Sequence, residues 1–340
     1  MSLSPDEVLA QSKAAYGQWA EQWREYAKVN GEKYKKDGNT QQDLLFIGAG
    51  KTLVCVANGS SLEDHMGTLK ESQSNDAVDI ICCDKVLGNL LDNGVKPQYV
   101  ILADANISYK DWMEPWKDQT KDIILISSIC ANIEWTQNWE GPVFYYVNKD
   151  NIQSEKEFSE ISGCKEFIPA SSNVGNTVVV FSVQIFGYDE HLLIGYDYSW
   201  GDSDNYYAYQ DSVKRHWMKH AHGVDCRGEI VNTSQNLIFS SRWLSDYYQG
   251  MSQQMGIKAF NCSGRGILNF PAANLKRKLK VAKTRELNDQ EKNMIVEKRM
   301  KQIFISQQEG TAKLNEVLQT KQVVNVVVNY LDDMGVVNAA

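Results

Sequence analysis

Six short runs of nearly unbroken apolar residues, at 53–57, 78–83, 99–102, 123–127, 143–147 and 192–194, recur along the middle of this chain. A strand with one face in water alternates apolar with polar positions. A run that is apolar at every position must be covered on both faces, which is the situation of a parallel strand between two layers of helix. Stretches with apolar residues at helical spacing separate the runs, near 62–72, 85–93 and 174–186. This alternation predicts an α/β fold built on a doubly wound, mostly parallel sheet. Sheets of that kind collect ligands at the carboxyl ends of their strands.

Polar residues gather where those ends should lie. Asn58, Gly59, Ser60 and Ser61 follow the first run, Asp84 the second, Asp104 and Asn106 the third, and Asp197 the last. Gly59 allows close approach of backbone to a ligand, and serines at the start of a helix present hydroxyls and free N–H groups at its positive end. An anion such as a phosphate suits that position; simple capping of the helix is the alternative. Ser171, Ser172 and Asn173 crowd a second helix start before the apolar stretch at 174–186. Beyond Asp197, Tyr198, Tyr206 and Tyr207 lie in a loop rich in Gly, Asp and Tyr, followed by His216, His220 and His222. His216 and His220 would share one face of a helix, but no HExxH-like glutamate accompanies them, and no metal site is expected.

The flanks differ in character. Ser4-Pro5-Asp6-Glu7 starts a helix on which Tyr16, Trp19, Trp23 and Tyr26 form an aromatic stripe expected to pack on the main domain, and the polar stretch 30–42 reads as a linker. Six cations fall between Lys276 and Arg285, with Lys276, Arg277 and Lys278 leading, a run suited to phosphates or to a solvated helix face. Two helices are expected after 286, with the apolar 323–331 buried against the core or a second subunit. A net charge of -8 argues against a uniformly basic nucleic-acid binder. The seven cysteines are odd in number, two of them adjacent, as suits buried thiols in a reducing compartment. No run approaches the roughly 18 apolar residues of a membrane span, so a cytoplasmic protein is expected.

Several of these stretches resemble a known family. Ala57-Asn58-Gly59-Ser60-Ser61-Leu62 is similar to the "GPSL" loop of the MptE-like family of Rossmann-like proteins, which includes archaeal 6-hydroxymethylpterin diphosphokinases and the bacterial motility accessory factors that glycosylate flagellin. Gly94-Val95-Lys96-Pro97 through Asp104 resembles its "GIKPD" turn and strand, Ser172-Asn173-Val174-Gly175 its "GGSV" segment, and Leu193-Ile194-Gly195-Tyr196-Asp197 its "IGQD" segment. The resemblance covers about 53–265 and implies a Rossmann-like catalytic domain at 43–270, preceded by a helix and linker at 1–42 and followed by the basic segment and helices of 271–340.

The second half is also similar to bacterial CMP-sialic-acid-dependent sialyltransferases. That likeness implies tyrosines holding the donor phosphate and a histidine general base, His222 or, next, His220. Together these readings imply a glycosyltransferase using a CMP-, CDP-, UDP- or GDP-linked sugar without a metal. Asn58, Gly59, Ser60, Ser61, Asp84, Asp104, Asn106, Ser172, Asn173, Asp197, Tyr198, Tyr206 and Tyr207 would bind the nucleotide. The acceptor is a glycan, a protein or, given the basic run, a modified base in duplex DNA. The alternatives are a Mg²⁺-dependent diphosphokinase, with Asp84, Asp104 and Asp197 as carboxylates, and a nucleotide-binding module without activity.

Overall fold

The computed structural model describes residues 5–149, 152–169, 171, 173–201, 206–209 and 220–285. Eight strands form its sheet. The apolar runs supply β1 (Thr52–Val56), β2 (Val78–Cys83), β3 (Tyr99–Leu102), β4 (Ile124–Ser128) and β5 (Val143–Lys149). They are joined by β6 (Phe167–Pro169), β7 (Glu190–Ile194) and, after the hairpin of β8 (His220–Val224) and β9 (Ile230–Ser234), by β10 (Lys258–Asn261). The order is β10-β7-β1-β2-β3-β4-β5-β6, every neighbouring pair parallel. Every side chain of β1, β2 and β3 is buried, as their nearly unbroken apolar sequence requires, and the charged exception, Asp79 in β2, is held by Lys51 and Tyr188.

Helices cover the sheet: α1 (Pro5–Asp37), α2 (Met66–Ser72), α3 (Leu87–Asp92), α4 (Tyr109–Trp112), α5 (Ile133–Asn138), α6 (Ile152–Ser162), α7 (Val174–Phe181), α8 (Gln235–Met255) and α9 (Leu275–Val281). Side-chain oxygens of Ser108, Asn132, Asn173, Ser234 and Asn274 accept from the first turns of α4, α5, α7, α8 and α9. Each satisfies a backbone donor that the helix cannot pair internally. Helix α7, apolar from Val178 to Phe181, is buried from Gly175 to Phe181. No helix among the described residues is long and apolar enough to cross a membrane.

The stretch 30–42, expected as a linker, is instead largely helical, because α1 runs on to Asp37. Its polar composition conceals a buried anchor. Asn30 Nδ2 donates at 3.0 Å to the carbonyls of both Ile129 and Ala131, and the Thr136 hydroxyl donates to Asn30 Oδ1 at 2.6 Å. Gly31 leaves room for the backbone of Ser162 on α6, where a Cβ would collide. Of the aromatic stripe, Trp23 meets Phe158 edge-on; Tyr34, further along α1 and outside the stripe, meets Tyr145. The C-terminal helices expected after 286, and any oligomer formed through them, lie outside the described residues.

Replacing Asn30 with Ala strands two loop carbonyls in the interior, while the Thr136 hydroxyl keeps the Ile133 carbonyl as a partner at 3.1 Å. Urea denaturation should show a loss of about 2–3 kcal/mol; an unchanged midpoint would mean that α1 is not pinned through this residue.

Candidate functional site

The strand order reverses between β1 and β7: the chain leaves β1 toward β2 on one side and leaves β7 toward β10 on the other. The loops after these strands therefore diverge and open a crevice, the place where ligands of such sheets usually sit. Here the chain fills it with its own carboxylate. Asp197 Oδ2 accepts from the backbone N–H of Ser61 at 2.9 Å and from the Ser60 hydroxyl at 3.4 Å, while Ser61 Oγ donates to Asp197 Oδ1. Ser60, Ser61 and Asp197 are all buried. Gly59 donates its N–H to the Gly195 carbonyl at 3.0 Å, and a Cβ there would strike both that oxygen and Asp197. Burial pushes the Asp197 carboxyl up, against the pull of Ser61, Arg265 and Ser60. The serines read as phosphate donors are thus spent on an internal anion.

A second cluster, the mouth, gathers one step along the sheet at the ends of β1, β2 and β3. Asn58 Nδ2 donates to the Lys85 carbonyl at 3.2 Å, and Asn89 Nδ2 donates to Asn58 Oδ1 at 3.2 Å and to the Ala208 carbonyl at 3.3 Å. Ala208 N–H returns a bond to the Asn58 carbonyl at 3.0 Å, and Tyr209 N–H reaches Glu63 at 2.7 Å. These bonds fasten the tyrosine segment over the mouth. Its rings continue a row: Trp200 to Tyr206 at 5.4 Å between centroids, Tyr206 to Tyr207 at 4.6 Å, and Tyr207 to Trp112 of α4 at 6.2 Å. Tyr206, Tyr207 and Trp112 are only half-buried. Lys85 Nζ stands 5.8 Å from the centre of the Tyr207 ring.

Polar groups face this row from the strand ends. Asp104 and Asn106 are exposed, and Asn106 N–H donates to Asp104 Oδ1 at 2.8 Å. Asp84 is buried, with Lys85 N–H donating to its Oδ1 at 2.7 Å. Burial pushes the Asp84 carboxyl up to about 6; Lys85 opposes the rise and the charge of Asp104 adds to it. Asp84 and Asp104 are thus electrostatic neighbours, whereas Asp197 is turned to Ser60 and Ser61.

Other residues singled out above stand elsewhere. The Tyr198 hydroxyl is buried and donates to Asn176 Oδ1 at 2.5 Å, holding the start of α7, and Asn173 caps that helix. Ser172 and His216 lie outside the described residues. His220 opens β8 rather than continuing a helix; the turn Asp225-Cys226-Arg227-Gly228 folds the chain back into β9. His222 is exposed on this hairpin, opposite Asn232, whose carbonyl accepts from Trp200 N–H at 2.9 Å. The basic helix α9 turns its charges away from the mouth. Lys278 pairs with Glu190 at the start of β7 at 2.7 Å, its ammonium over the Phe260 ring, and Lys276 reaches Glu71 at the end of α2. The sequence reading missed Lys85, Asn89, Trp112 and Trp200. Lys85 follows Asp84 directly and was within reach of the strand-end rule; the tryptophans carried no periodic signal.

The raised carboxyl of Asp84 means that its ionised form costs the folded state free energy. The penalty is absent below the ordinary carboxylate range and complete once pH exceeds about 6. Asp84→Asn should therefore raise stability at pH 8, by about 3 kcal/mol at most, and leave it nearly unchanged at pH 4. A stability loss of equal size at both pH values would show that Asp84 serves packing alone.

Comparison with known proteins follows this geometry. A family model described as 6-hydroxymethylpterin diphosphokinase MptE-like matches residues 29–203. The match takes in β1 through β7 and the strand-end residues from Asn58 to Asn106, and ends before Tyr206, the hairpin and β10. Among solved structures, a motility accessory factor (Maf) glycosyltransferase from Magnetospirillum magneticum AMB-1 is similar, with a TM-score of 0.54 at 18% identity over 88% of this chain and 46% of that one. The chain therefore spans less than half of that protein, and the likeness is one of fold. No curated protein sequence matches the chain. A parallel α/β sheet, the polar strand ends and a family match over more than half of the residues agree: the chain belongs to the MptE-like family.

Proposed function

We propose that the chain transfers a sugar from a nucleotide-sugar donor to an acceptor hydroxyl, with the nucleotide lying across the ends of β1, β2 and β3. The observation that carries this reading is the aromatic row fastened over the mouth by Asn58 and Asn89. Flat half-buried rings offer stacking surface to a base or a sugar, and the tyrosine hydroxyls can donate to a phosphate. Asp104 and Asn106, exposed at the rim, are placed to accept from ribose or base. His222, on the hairpin beyond Trp200, is the candidate general base for the acceptor hydroxyl, whose proton an imidazole nitrogen can accept. The glycosyltransferase named among the similar folds supports the same chemistry.

A second reading, transfer of pyrophosphate from ATP to a small alcohol, draws support from the family description and from Asp84 beside Asp104, two carboxylates able to share a Mg²⁺ ion. The basic helix, facing away from the mouth, gives no support to a DNA acceptor.

The two readings separate in a thermal-shift screen of CMP-, CDP-, UDP- and GDP-sugars, without metal, against ATP with Mg²⁺. A ligand at a hundredfold excess over its Kd stabilises the folded state by about 2.7 kcal/mol, a rise of several degrees. Sugar transfer predicts that rise with at least one nucleotide sugar; a rise with ATP and Mg²⁺ alone would replace it with the kinase reading.

A further inference from the structure

Two other half-buried lysines close ion pairs, Lys51 with Asp79 at 3.2 Å and Lys278 with Glu190 at 2.7 Å. Lys85 does not. It is half-buried at the end of β2, its backbone is fixed on both sides by Asp84 and Asn58, and its ammonium forms no ion pair among the described residues. Its ammonium stands 5.8 Å from the centre of the Tyr207 ring, at the outer limit of a cation–π contact. Its charge offsets part of the burial of Asp84, and a half-buried ammonium with no direct ion pair among the described residues can still meet a bound anion.

We propose that Lys85 binds the phosphate joining nucleoside to sugar in the donor and stabilises the charge that develops there as the sugar departs. The inference rests on the nucleotide-sugar reading above. In the step it serves, the bond between the anomeric carbon and the phosphate oxygen breaks and its electron pair stays on that oxygen. The acceptor oxygen forms the new bond to the anomeric carbon and loses its proton to the base, assigned above to His222. Lys85 stays protonated throughout and supplies the positive charge that a metal ion supplies in other phosphate sites. A compact, flexible ammonium suits a single phosphate, and the aromatic row then lies within reach of the attached base.

The test compares nucleotide with nucleoside. Calorimetric titration of the full chain in EDTA, with CMP and UDP against cytidine and uridine, should show that at least one nucleotide binds more tightly than its nucleoside. Lys85→Met should keep the nucleoside affinity and lose nucleotide affinity by roughly 10- to 100-fold, the scale of one charge-assisted hydrogen bond. Lys85→Arg should retain part of the advantage, and Lys85→Gln provides the same comparison if the Met variant fails to fold. Nucleotide affinity preserved within threefold in Lys85→Met, equal loss of both ligands, or nucleotide binding by wild type only when Mg²⁺ is added would each overturn the assignment. Wild type binding neither ligand would sink the nucleotide-sugar reading itself, which separates the two failures.

Discussion

The site depends on one buried carboxylate. Asp197 sits at the point where the sheet's connectivity reverses, and a charge there must be matched by donors or it would not stay ionised. The matching donors are those that the loop after β1 would otherwise show to a ligand: the N–H and hydroxyl of Ser61 and the hydroxyl of Ser60. The same residue also ties down a third segment, since Ile267 N–H donates to the Asp197 carbonyl at 2.8 Å and Gly266 packs where a Cβ would strike the Asp197 backbone. Three loops are thereby locked into one floor.

Floor and mouth differ in how well their charges are satisfied. Asp197 has several donors and closes its crevice; Asp84, equally buried, is held by fewer and is pushed up to about 6. Lys85 beside it forms no ion pair among the described residues. Groups that burden the folded state concentrate where a ligand must be met, because that is where their unsatisfied charge can act. The tyrosine segment, by contrast, is secured through backbone bonds to Asn58 and Asn89, which leaves its rings half-exposed.

Much of the sheet was legible in the chain because burial on both faces leaves a local mark, the unbroken apolar run. β6 and β10 left no such mark. Phe167–Pro169 spans three residues at the edge, and Lys258–Asn261 mixes polar with apolar at the other edge, where one side has no neighbouring strand. The β8–β9 hairpin was hidden by its histidines, although Asp225 to Gly228 is an ordinary turn signal. Polar residues at strand ends were placed correctly at the carboxyl side. Their partners were not visible, since Ser61 and Asp197 are separated by 136 positions and only the parallel pairing of β1 with β7 brings them together. The polar end of α1 misled for a related reason: Asn30 looks like linker until its buried carbonyl partners are known.

A crystal structure with CMP or UDP bound would test the placement most directly. The account predicts a nucleotide lying over the ends of β2 and β3, its phosphate at Lys85 and its base along the row from Tyr206 to Trp112, with Asp197 still bonded to Ser61. A phosphate seated on the N–H groups of Ser60 and Ser61, with the Asp197 side chain displaced, would contradict it.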